Sequence, residues 1–147
     1  LITPGHHPGH VCLSSPAGIV AGDMVAGIGT ILIPPGTGDM DVYIEQLERL
    51  RELKPHLLFP SHGPVIPLPE KTLSYYIKHR KQRHQRVLEA VEFGHKTISA
   101  IATMAYSDSP DAHPGLAQDQ TLAHLLSHER MGLVEQQSNG WNLRGVE

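Results

Sequence analysis

The sequence predicts an α/β domain followed by a smaller, mostly helical domain of winged-helix type. Three observations carry this. The first 70 residues read as strand, strand, loop, helix, strand. A long basic helix follows them. From residue 94 onward the pattern changes to helix, helix and hairpin.

HVCLSS at 10–15 reads as a strand, with Val11 and Leu13 alternating with small or polar neighbours. Pro16, Ala17 and Gly18 break it. IVAGD at 19–23 is a short buried strand ending in Gly22–Asp23, and IPPGTGD at 33–39 is a loop. Asp39 is the expected N-cap of a helix over 40–53, whose apolar stripe is Val42, Ile44, Leu47, Leu50 and Leu53. HLLFPSHGP at 56–64 gives a buried strand, Leu57 to Phe59, running into a Pro/Gly loop that carries His62.

A second helix is expected from about Glu70 to Phe93, stopped by Gly94. Between Lys78 and Arg86 it carries five Lys/Arg and two His, the only strong basic concentration in the chain. A helix over 97–107 capped by Thr97, a polar loop at 107–115, a helix over 117–134 and a hairpin over 133–143 complete the chain. The hairpin turns at Ser138–Asn139–Gly140, where Asn-Gly is expected to supply the positive φ values of a tight turn. The expected boundaries are 1–70 for the α/β part, 71–93 for the connecting helix and 94–147 for the winged helix.

The composition is that of a globular chain: 39% hydrophobic, 18% charged, net charge -3. A net negative chain with only 5% aromatic residues does not read as a general polyanion binder. Its single cysteine, Cys12, has no partner for an internal disulfide and reads as a small buried hydrophobe. No apolar run approaches the ~20 residues of a membrane span. The expected setting is cytoplasmic, or mitochondrial in a eukaryotic source, without membrane association. Because the chain starts at Leu1, it reads as part of a longer protein.

Histidine is the unusual count, at 11. Three potential metal ligands sit on tight loops: His6 in TPGHHPGH, Asp23 in AGDM and His62 in PSHGP. Imidazole nitrogen and carboxylate oxygen suit zinc, and also iron or manganese. Glycine and proline beside them let the backbone pass close to an ion. An Asp can bridge two ions through its two oxygens, which a His cannot.

TPGHHPGH, then AGD, then PSHGP, in this order, resembles the second half of the metallo-β-lactamase superfamily. With FPSHGPVI, the YIKHRKQR helix and the terminal winged helix, the resemblance extends to hydrolases of the lactamase-beta-2 type, a subgroup that includes nucleases. It implies half of an αββα sandwich and a centre of two zinc ions. It further implies His6, Asp23 and His62 as ligands, with Asp23 bridging and catalytic. His10 then supports the site from behind the ligands. The implied reaction is hydrolysis of an ester, thioester, lactone or phosphodiester by metal-activated water.

Two departures stand out. His7 occupies a position where the family usually has Thr, and is expected to be exposed. The family's H-x-H-x-D-H motif does not occur in these residues. The expectation is that an N-terminal half or a second subunit supplies it, and that the chain alone is inactive. A homodimer, or limited solubility from an uncovered sheet edge, is expected without it. On the basic helix, His79, Arg80 and Arg83 are the candidate substrate-binding residues, since guanidinium suits phosphate or carboxylate. The alternative function is a winged-helix module binding nucleic acid or protein.

Overall fold

The computed structural model describes residues 1–145. The chain divides into two compact units, Leu1–Arg80 and Lys81–Glu147. The division falls within a single helix, Pro69–Glu92, so neither unit begins or ends at a loop there.

The first unit is built on β1 (Leu13–Ser15), β2 (Gly18–Gly22) and β3 (Leu58–Pro60), in the order β1-β2-β3. β1 and β2 form an antiparallel hairpin with Leu13 opposite Val20. β2 and β3 run parallel, and Ala21 is the extra residue of a bulge between the Val20–Phe59 and Gly22–Pro60 pairs. β1 is shorter than the strand expected over 10–15. Its predecessors turn their hydrogen bonds to the other side: Cys12 N–H donates to Leu1 O and Thr3 N–H to His10 O, both at 2.9 Å. The sheet therefore continues outward through residues 1–3 on one edge and through Ile66, paired with Leu58, on the other.

α1 (Met40–Glu52) begins where expected, with the Asp39 carboxylate accepting from the Asp41 and Val42 amides. Its buried face is Met40, Tyr43, Ile44, Leu47 and Leu50. Leu53, counted in the expected stripe, is exposed. The helix ends on Lys54 at φ 47, the only non-glycine with positive φ among the described residues. A glycine normally fills that position, and here the next residue is Pro55, which narrows the choice further. α2 (Pro69–Glu92) places Leu73, Tyr76 and Ile77 in the core of the first unit.

In the second unit, the last turns of α2 meet α3 (Ile98–Ala105), α4 (Pro114–Arg130) and the hairpin β4 (Val134–Gln137)–β5 (Gly140–Leu143). Val87, Val91, Ile101, Leu125, Val134 and Trp141 form one apolar cluster. α2 closes at Gly94, φ 91, as its sequence foretold. α4 starts and ends earlier than the expected 117–134. Pro114 opens it without needing an amide partner, and Gly132 at φ 73 turns the chain out after it. In the hairpin only Gly140 takes positive φ, at 112. A Cβ there would lie 2.4 Å from the Lys96 carbonyl, whose oxygen accepts from Trp141 N–H. No helix among the described residues is long and apolar enough to cross a membrane.

Two arginines fix the corner after α3. Arg83 donates to the Ala105 carbonyl, lies 4.0 Å over the Tyr106 ring and pairs with Asp108 at 2.9 Å. Arg86 takes the other Asp108 oxygen at 3.1 Å. Burial pushes the Asp108 carboxyl up, but the Arg83 hydrogen bond and the charges of Arg83 and Arg86 outweigh it and hold the group below its usual range. A carboxyl lowered in the folded state stabilises above its unfolded pKa of ~4 and loses that contribution as pH falls through its folded value.

Lys54→Gly is expected to raise stability by about 1 kcal/mol in urea denaturation, because it relieves the left-handed strain. Asp108→Asn is expected to flatten the fall in thermal stability of the chain below about pH 4, while leaving neutral-pH α-helical circular dichroism intact.

Candidate metal centre

The site residues lie at one end of the sheet because of how its strands run. β2 and β3 are parallel and finish side by side, and Ser61 N–H donates to Gly22 O at 3.0 Å, adding one more rung. The next residues along the two strands are Asp23 and His62. The 10–15 segment runs opposite to β2, so His10 enters at the same end, and His6 lies on the loop leading to it.

Close backbone approaches fix each loop. Gly5, at φ 129, sits against the first turns of α1: a Cβ there would come within 2.4 Å of Tyr43 Cα. Gly5 O also accepts from the Asp39 amide at 2.7 Å, which ties the His6 loop to the helix N-terminus. Gly27 N–H donates to His62 O at 2.8 Å. Beyond Asp23, the Tyr43 hydroxyl donates to Met24 O at 2.7 Å. Tyr76 accepts from Ala26 N–H at 3.0 Å and donates to Gly29 O at 2.9 Å. Burial pushes both phenols above the usual tyrosine range, so both stay protonated as donors.

The side chains of His6, Asp23 and His62 converge. His62 Nε2 lies 3.2 Å from Asp23 Oδ1, and His6 Nε2 lies 3.7 Å from Asp23 Oδ2. His6 Nδ1 faces Leu32 O at 2.7 Å. A carbonyl only accepts, so Nδ1 carries a proton, and Nε2 is the ring nitrogen that faces Asp23. Asp23 Oδ1 is buried and receives no hydrogen bond among the described residues, despite its nearness to His62. A buried carboxylate oxygen without a donor is costly unless a cation takes that place. Two imidazoles and a carboxylate are donors of the kind a divalent transition metal takes. The two histidines address opposite oxygens, and among the described residues no three His, Cys, Asp or Glu side chains close on a single point.

His10 has a different task. Asp23 N–H donates to its Nε2 at 3.0 Å, so Nδ1 holds the ring proton and donates to Thr3 Oγ1 at 2.9 Å. The Thr3 hydroxyl donates on to Cys12 Sγ at 3.3 Å, and Cys12 Sγ lies 3.5 Å from Ala21 O. Burial, reinforced by neighbouring His6 and opposed by Asp23, holds His10 below the usual histidine range. A neutral ring is what this chain of donors requires. Gly22 leaves the room: at φ 54, a Cβ on it would meet His10 Nε2 at 2.6 Å. Burial raises the Cys12 thiol, which keeps it protonated and unreactive. Thr3 was not singled out by the sequence, since a lone threonine on an edge segment carries no signal of its own.

The basic helix departs from its expectation. Arg80 and Arg83 are 2% and 4% exposed. Arg80 donates to Ile31 O and lies 5.6 Å over the Tyr43 ring, within the first unit. Arg83 holds the Ala105–Asp108 corner of the second. Both guanidiniums serve the chain's own carbonyls and aromatic rings, so they do not present the anion-binding face expected of them. His79 is half-buried and stacks on Tyr75 at 5.9 Å. His7 is exposed, as expected. A cleft of about 670 Å³ lined by residues that include Lys54, His56, Leu68 and Lys71 shares no residue with the His–Asp–His cluster.

A sequence profile of the metallo-β-lactamase superfamily matches residues 1–62, the stretch that holds every residue of this cluster. Over that region the chain belongs to the metallo-β-lactamase superfamily, a family of hydrolases. It is 33% identical over 134 residues to the beta-lactamase-like protein 2 homolog of Drosophila melanogaster, a match covering 88% of this chain and 44% of that protein. It is 31% identical over 94 residues to the atrochrysone carboxyl ACP thioesterase of Aspergillus fumigatus, covering 63% of this chain and 29% of that one. A crystal structure of a metallo-beta-lactamase family protein from Thermus thermophilus matches 98% of this chain and 48% of its own, with TM-score 0.79 and 22% identity, which shows a shared fold. The chain spans less than half the length of each of these proteins.

His10→Ala leaves the half-buried Asp23 amide without its acceptor and is expected to cost about 1 kcal/mol of stability. It is also expected to make Cys12 react faster with a thiol reagent in native buffer. His10→Gln, whose amide can both accept and donate, is expected to recover part of each effect.

Proposed function

We propose that the first unit provides one rim of the metal centre of a metal-dependent hydrolase, with zinc as its native metal. The observation that carries this is Asp23, whose Oδ2 faces His6 and whose Oδ1 faces His62. His6 and His62 would each hold a separate ion, with Asp23 reaching both. When bound, the metal supplies Lewis acidity and lowers the pKa of water toward ~7. The chain's own residues fix the donors: Leu32 O sets the His6 tautomer, and His10 holds the backbone of Asp23. The substrate reading is a carboxylic ester or thioester, ahead of a lactone or phosphodiester. It draws on the thioesterase among the relatives and on the withdrawal of Arg80 and Arg83 from anion binding.

The same reading gives the chain a polypeptide partner, since three donors make an incomplete dinuclear centre, and predicts no turnover by the chain alone. The working compartment is cytoplasmic or mitochondrial. The second unit, with three helices and a hairpin, is read as a winged helix with a structural or dimerising role. Its basic residues Arg83 and Arg86 are engaged with Asp108, which argues against a nucleic-acid surface there.

Cobalt or zinc titration of the chain, followed by elemental analysis after dialysis, tests the centre. Asp23→Ala is expected to weaken metal binding by at least about tenfold with unchanged circular dichroism. Zinc taken up equally well after Asp23→Ala would contradict the reading, whereas a chain that takes up none is a half-site whose binding has to be measured with the missing donors restored.

A further inference from the structure

The second unit holds a group of side chains that packing alone does not call for. The buried face of α4 includes Gln120, Thr121, His124, Ser127 and His128, none more than 6% exposed. Leucines in these places would hold α4 to its neighbours more firmly. Two of the five are imidazoles, and they meet a third, the half-buried His84 of α2. His84 Nδ1 lies 3.0 Å from His124 Nδ1. The His84 ring also stacks on that of His128, with centroids 3.7 Å apart and planes inclined at 25°. His128 Nε2 donates to the His84 carbonyl at 2.9 Å, so the two helices are joined through side chain and backbone at once.

We infer that His84, His124 and His128 form a proton-operated latch, which holds α4 on α2 in neutral medium and releases it in mildly acidic medium. Two Nδ1 atoms this close share one proton: one ring donates it and the other accepts it. The His84–His124 pair therefore carries at most three ring protons while the bond lasts, where two separated imidazoles carry four. The stack adds to this, because charges on His84 and His128 oppose one another across 3.7 Å. Well below the ordinary imidazole value of ~6.5, the opened arrangement thus binds at least one proton more than the closed one. The latch favours closure above that value and loses it as pH falls, by about tenfold in the opening equilibrium per pH unit for each extra proton.

The charged groups of the packed elements have other partners or face solvent. On α2, Arg80 donates to Ile31 O, Arg83 and Arg86 hold Asp108, Glu89 accepts from Gln85, and Lys81 is exposed. On α4, Glu129 accepts from the Gln136 amide, and Asp119 and Arg130 are exposed. α3 has no titratable side chain, and on the hairpin Glu135 accepts from Gln137. None of these contacts sets a carboxylate against the trio, where it would hold an imidazolium in place. Imidazole is the side chain that answers to protons near neutrality, which a leucine cannot do. The inference is independent of the metal reading, since its residues all belong to the second unit.

Amide hydrogen exchange of α4 in the full chain, corrected for the intrinsic exchange rate, reads the latch. Between about pH 6 and about pH 5, above the range in which Asp108 titrates, protection of α4 is expected to fall by about tenfold or more. His124→Asn keeps a group that can donate and accept close to the Nδ1 position but does not titrate, and it is expected to lose most of that fall. Unchanged α4 protection in the wild-type chain overturns the inference. So does an equal fall in His124→Asn, because the proton then acts elsewhere, as at His10, which burial holds below the usual histidine range. Should His124→Asn fail to fold at neutral pH, nuclear magnetic resonance of ring-labelled histidine in the wild-type chain decides. The signal of the proton shared by His84 and His124 is expected to vanish over the same interval as the protection of α4. Its persistence after α4 has opened overturns the latch.

Discussion

Asp23 and His62 face one another because β2 and β3 run parallel and end together. The Ser61–Gly22 hydrogen bond at 3.0 Å extends that pairing to the residues just before them. Everything else at the rim serves to hold this coincidence. Gly22 takes φ 54 and leaves room for the His10 ring, and His10 in turn accepts the Asp23 amide. The relay through Thr3 and Cys12 ends at the Ala21 carbonyl, on the strand that delivers Asp23. The carboxylate is thus positioned through its own backbone, which leaves both of its oxygens for the two histidines.

The loop after Asp23 needs separate anchoring because it has little regular structure between β2 and α1. Its carbonyls find donors on two helices: Tyr43 for Met24, Tyr76 for Gly29 and Arg80 for Ile31. Each donor reaches the loop from a buried position, where a hydrogen bond is harder to exchange for water. Arg80 is suited to this place because its planar guanidinium can stack near Tyr43 while its edge donates. A lysine would bring charge without that plane. The basic run of α2 is therefore divided by helical geometry. Arg80 and Arg83 turn inward, and Lys78, Lys81 and Gln82 remain exposed.

Much of this was legible in the sequence for a physical reason. Asp39, Gly94 and the Pro/Gly flanks of His6 and His62 are local signals, and local backbone chemistry decides what they do. α1, α2 and the order of the strands follow from them. What depended on distant partners was not legible. The donor role of Arg80 is set by a carbonyl 49 residues away. Charge count alone made it look like a solvated anion site. Thr3 matters only because strand pairing places it beside both His10 and Cys12. α4 stops short of its expected end because Gly132 outweighs the apolar residues that follow it.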